Sequence, residues 1–163
     1  MRLAALHKTI VALLLALLAV APVPATEAQT VRWTDLTLID GRVLKASELA
    51  GKTVVVEFWA SWCPFCARQN PHIQKLHETH GGKGLVVLTF TLDKKDETAL
   101  QYMKRHGYTF AAARSSPAIE ASLGGRRALP EVCVVDATGR IVFREAREMF
   151  EEDVAALARF AAN

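Results

Sequence analysis

Cys63 and Cys66 stand two residues apart in the stretch Trp62-Cys63-Pro64-Phe65-Cys66. A pair at this spacing can share a metal ion, close a structural bridge, or exchange electrons as a thiol-disulfide couple. Tetrahedral zinc needs two further ligands converging on the pair. The candidates His72, His77 and His80 all lie downstream on what reads as one helix. His77 and His80 would sit roughly 16 Å or more along its axis at ~1.5 Å per residue, too far to close on Cys63. Covalent haem needs a histidine directly after the second cysteine, and Ala67 stands there. The sequence implies no metal and no cofactor.

The elements around the pair assign it a chemistry. Thr53-Val54-Val55-Val56-Glu57-Phe58-Trp59-Ala60 is β-branched and nearly continuously apolar, the pattern of a buried parallel strand. A helix is predicted from Pro64 to His80, ended by Gly81-Gly82. Proline at the first helical position gives up an N–H that has no intrahelical partner anyway. The first-turn N–H groups and the helix dipole then point at the Cys63 sulfur and favour its thiolate. Cys66 lies one turn along, within bridging reach and more enclosed. This makes Cys63 the exposed attacking thiolate and Cys66 the residue that resolves the mixed disulfide.

The chain has 163 residues, enough for one domain with its own core. Its start does not read as fold. Arg2 and Lys8 precede an apolar run ending at Val20-Ala21, followed by Pro22-Val23-Pro24-Ala25-Thr26-Glu27-Ala28. The run is about 12 residues, short of the ~20 that span a bilayer, and reads as a signal peptide over residues 1–25. Cleavage after Ala25 or after Ala28 fits, leaving a domain over residues 30–163 in a periplasmic or otherwise exported location. Of 20 basic and 17 acidic side chains, the leader holds Arg2 and Lys8 and no acid, so cleavage after Ala25 leaves a formal charge of +1. So nearly neutral a body offers no field for nucleic acid. In an oxidising compartment a disulfide persists, and three cysteines leave one over.

Leu36–Leu44 reads as a hairpin turning at Asp40-Gly41, followed by a short helical turn stopped at Gly51. Leu85–Leu92 is a second buried strand and Asp96–His106 a helix stopped by Gly107. An extended piece over Tyr108–Ala112 and a weak helix over Pro117–Leu123 follow. Val132–Val135 and Arg140–Arg144 flank the turn Asp136-Ala137-Thr138-Gly139, and a helix over Glu151–Ala161 closes the chain. Strands joined by helices, then a hairpin and a helix, make an α/β fold with a mixed sheet.

Val56–Cys66 resembles the active-site strand and helix start of the thioredoxin superfamily. Pro71 matches that family's helix-kinking proline, and Leu129-Pro130 resembles its cis-proline loop. With the leading hairpin Leu36–Leu44 and an insertion over Lys95–Ala112, the chain is similar to the exported TlpA/ResA-like thiol-disulfide oxidoreductases. The resemblance implies a thioredoxin-like fold, a mixed central sheet flanked by helices, with an N-terminal β-hairpin and a central insertion. It implies a redox-active Cys63–Cys66 disulfide with Glu57 buried beneath Cys66 as proton relay. The alternatives for Glu57 are pairing with Lys52 or Lys83, or an outward turn. A cis Pro130 would set Leu129 beside the disulfide. Trp62 would shield the pair and pack under substrate, and Pro64 and Phe65 would tune it. Trp59 also reads as an ordinary core aromatic. Cys133 reads as a small buried hydrophobe, or as a thiol close enough to the pair to react.

Phe65 brings no cation and no donor near Cys63, and a buried Glu57 disfavours a thiolate, so neither favours a strong oxidant. The resemblance likewise implies a reductase, fed by a membrane thiol-disulfide electron donor and acting on exported disulfide-bearing proteins such as apocytochrome c, and a monomer is the working expectation. An oxidase or isomerase with the same residues is the alternative. A metal-binding chaperone is a third reading, against which the two-residue cysteine spacing speaks.

Overall fold

The computed structural model describes residues 30–161; the expected leader and its cleavage sites lie outside them. Among the described residues, seven strands form two sheets. β1 (Leu36–Thr37) and β2 (Val43–Leu44) pair antiparallel, Leu36 opposite Leu44, around a turn in which Gly41 takes φ +86°. The other five are β3 (Thr53–Trp59), β4 (Leu85–Thr91), β5 (Ala111–Arg114), β6 (Glu131–Val135) and β7 (Ile141–Glu145). They lie in the order β5-β4-β3-β6-β7, with β3, β4 and β5 parallel and β6 antiparallel to both neighbours. This is the mixed, helix-flanked sheet of a thioredoxin-like fold. The hairpin is tied to the sheet edge, where Leu38 bridges Ala113 of β5.

β3 is buried along its whole length because it is central and covered on both faces. Alternation sends Val54, Val56 and Phe58 to one core, with Leu38, Leu49, Leu123 and Cys133. Val55 and Trp59 enter the other, with Cys63, Cys66, Ile73, Tyr102 and Leu157. Glu57, between Val55 and Trp59 in the same alternation, therefore faces the second core. That core is roofed by α2 (Pro64–His80) and the C-terminal α5 (Glu151–Ala155). The remaining helices are α1 (Ala46–Leu49), α3 (Asp96–His106) and α4 (Pro117–Ser122). Among the described residues, no helix is long and apolar enough to cross a membrane.

Two elements differ from the sequence reading. The extended piece expected over Tyr108–Ala112 becomes a strand only at Ala111. Before that, Tyr108 N–H caps α3 on Met103 O at 2.9 Å, and its ring stacks on Phe110 at 5.3 Å. The closing helix is α-helical only to Ala155 and continues as a 3-10 helix over Ala156–Phe160. Its end is fixed from the sheet, by Thr53 Oγ1 donating to Phe160 O at 2.7 Å.

Candidate active site

β3 delivers the chain to its carboxyl end, and α2 starts four residues past Ala60. Cys63 is the N-cap of α2, with Pro64 at its first position, and Cys63 Sγ accepts the Cys66 N–H at 3.1 Å. The two sulfurs are joined as a disulfide, with Cα atoms 5.2 Å apart. Cys63 is 4% exposed and Cys66 0%. The order is the one expected, but Cys63 is far less open than an attacking group read from sequence. What is open is its surroundings: Trp62 is 65% and Phe65 50% exposed, and Pro64 lies exposed between the cysteines. Arg68 lies over the Phe65 ring at 4.8 Å and forks onto Glu148 through two 2.6 Å hydrogen bonds.

The loop before Cys63 is held from the next strand. Asp93, just past β4, accepts from Ser61 N–H at 3.0 Å and from Ser61 Oγ at 2.7 Å, and Thr91 Oγ1 donates to it at 2.7 Å. On the other side stands the segment before β6. The Leu129–Pro130 peptide bond is cis. Phe58 pairs with Glu131, so the antiparallel register carried on by one residue sets buried Pro130 opposite Trp59. Leu129, half-buried, packs against both cores. Glu131 anchors this segment: its carboxylate accepts Arg127 N–H at 2.5 Å and pairs with Arg144. Arg144 in turn donates to the carbonyls of Leu123 and Gly125.

Glu57 is fully buried and has no cation partner among the described residues; Lys52 is exposed and Lys83 donates to Thr79 O instead. Its Oε1 accepts from Gln69 Nε2 at 2.7 Å, while Oε2 has no partner among the described residues. Burial pushes the carboxyl up to about 8, the Gln69 hydrogen bond opposing the rise. Gln69 stands three residues past Cys66 on α2, about 4.5 Å of helix rise. Trp59 is a core aromatic whose indole N–H donates to Thr89 Oγ1 at 3.0 Å.

Cys133 lies on the opposite face. It pairs in register with Val56, joins the other core and carries a free, fully buried thiol pushed up to about 12 by burial. Of its two sequence readings, the reactive one does not fit this placement. Among the described residues no three His, Cys, Asp or Glu side chains are grouped to hold a metal ion. The sequence reading missed Ser61, Gln69, Asp93 and Glu131. Only Asp93 carried a signal, a lone acid at the carboxyl end of a buried strand.

The Redoxin family model matches residues 21–159. Thiol-disulfide oxidoreductase ResA of Halalkalibacterium halodurans is 27% identical over 104 residues, 64% of this chain and 59% of that protein. The Paracoccus denitrificans thiol:disulfide interchange protein DsbE homolog is 31% identical over 118 residues, 71% of this chain and 63% of its own. The chain thus spans about three fifths of these relatives. A thioredoxin-family thiol:disulfide interchange protein from Chlorobium tepidum superposes with a TM-score of 0.75 at 20% identity, covering 83% of this chain and 97% of that one. Sequence pattern, strand order, the capped disulfide and the family match agree: the chain belongs to the Redoxin family, within the thioredoxin superfamily.

Proposed function

We propose that this protein is an exported thiol-disulfide oxidoreductase that works as a reductase of disulfides in exported proteins. The observation that carries the reading is the Cys63–Cys66 disulfide at the capped start of α2, flanked by exposed Trp62 and Phe65. The ResA and DsbE relatives support it by their names. In the reduced protein the Cys63 thiolate attacks a substrate sulfur, forming a mixed disulfide and releasing one substrate thiolate. Cys66, its proton passed to Glu57, attacks Cys63 Sγ and releases the second substrate thiolate. One substrate disulfide is reduced by two electrons, and the Cys63–Cys66 bond reforms. A membrane thiol-disulfide donor returns the electrons.

Trp62, Pro64, Phe65 and Leu129 form the substrate-facing surface in this reading, with Pro130 closing it. The leader over residues 1–25 directs export, the domain over residues 30–163 works as a monomer, and apocytochrome c before haem attachment is the client class. Phe65 favours the reductive direction, since it offers Cys63 neither charge nor donor. The experiment is turnover with a disulfide substrate. Cys63→Ser abolishes it, while Cys66→Ala accumulates mixed disulfides. The reverse pattern, with Cys63→Ser keeping the covalent intermediate, overturns the assignment.

A further inference from the structure

Gln69 makes two buried hydrogen bonds, and together they determine which way its amide faces. Met149 N–H lies 2.6 Å from Gln69 Oε1, and a backbone N–H can only donate. The oxygen of the amide must therefore face Met149 and the NH2 group must face Glu57, 2.7 Å from Oε1. Because that NH2 is also a donor only, Glu57 Oε1 is an acceptor in both protonation states. The proton of the neutral acid is left to Oε2, the buried oxygen without a partner among the described residues. We infer that Gln69 is a positioning residue that holds Glu57 by Oε1 and makes Oε2 the one oxygen through which its proton enters and leaves. This rests on the reading of Glu57 as proton relay and goes beyond it, in naming the oxygen and the residue that selects it.

The arrangement also sets how readily Glu57 ionises. A donor on Oε1 stabilises the carboxylate against the desolvation that opposes it. The titratable groups that interact with Glu57 are Tyr102 of α3 and Tyr108 beyond α3, and Cys66 of α2 belongs to the core that Glu57 faces. The strands beside it offer Thr89 and Val132 in register. Burial raises both tyrosines, Tyr108 to about 12, so neither titrates alongside Glu57. Gln69 is the neutral donor that acts on the carboxyl, and its own hold comes from the Met149 backbone.

The test follows the neutral-carboxyl infrared band of the oxidised full-length protein against pH, where no thiol of the couple titrates. Glu57→Gln removes the band and so assigns it. Gln69→Met moves its midpoint up by at least one pH unit, about a tenfold fall in the carboxylate-to-acid ratio at a given pH. Gln69→Glu keeps an acceptor for Met149 N–H and so guards the fold, but faces Glu57 with a second acid and splits the loss of the band into two steps. In the unmutated protein the Gln69 side-chain amide resonances shift with the Glu57 midpoint. A midpoint unmoved in both Gln69 variants, or amide resonances that ignore it, overturns the inference. A Glu57→Gln variant whose resolution of the mixed disulfide keeps the pH profile of the unmutated protein overturns the relay reading itself.

Discussion

Asp93 grips Ser61 twice, through the backbone N–H at 3.0 Å and the hydroxyl at 2.7 Å, and so fixes the residue two places before Cys63. Both ends of the loop carrying Trp62 are thereby held, one by Asp93 and the other by the start of α2. Asp93 is 4% exposed, so water cannot replace it freely. Asp93→Ala leaves the Ser61 N–H without its partner and costs about 2–3 kcal/mol, read from urea unfolding. Exchange slows with it, while the Glu57 titration keeps its midpoint.

Glu57 makes stability depend on pH in an unusual direction. Its carboxyl titrates near 4.5 in the unfolded chain and at about 8 in the folded one, chiefly through burial. Between those values the native state holds a proton that the unfolded chain has released, so stability falls as pH rises through the window. Above about 8 the loss is complete and constant. Glu57→Gln removes the titration while its own oxygen still accepts from Gln69. Its Tm should therefore gain on that of the unmutated protein from pH 5 to pH 9. Parallel Tm curves across that range would contradict the buried, proton-holding carboxyl.

Cys133 sits in the core on the far face of the sheet from the disulfide. Cys133→Val replaces a small buried group with one of similar volume, at a cost below about 1.5 kcal/mol, and leaves exchange unchanged. In the oxidised protein a thiol reagent finds no reactive group until denaturant is added, and then finds one. Labelling of the native protein at a rate set by pH near 8 would place this thiol in the wrong environment.

Much of this site could be read from local sequence because it is written in local terms. The buried run Thr53–Ala60, the proline after Cys63 and the glycines after His80 give β3 and α2 their limits without reference to anything distant. Asp96–His106 was equally legible, with Gly107 as its stop, and in the structure Gly107 takes the left-handed conformation at φ +71°. What escaped depends on chain separation. Gln69 reaches Glu57 across 12 residues, Ser61 reaches Asp93 across 32, and Met149 reaches Gln69 across 80. No periodicity marks such partners, since each is an ordinary side chain or backbone N–H until the fold brings it to its acceptor. The degree of Cys63 burial escaped for the same reason, being set by packing against the second core rather than by its place at the helix start.

The central claim is that Cys63 and Cys66 form a reductase couple, and its most direct test is the midpoint potential. The purified protein is equilibrated against glutathione buffers and the disulfide fraction is read at each ratio. The account predicts a potential well below that of a strong oxidase, since Phe65 lends Cys63 no positive charge. A value near that of a strong oxidase, roughly −120 mV, would contradict it and turn the direction of electron flow around.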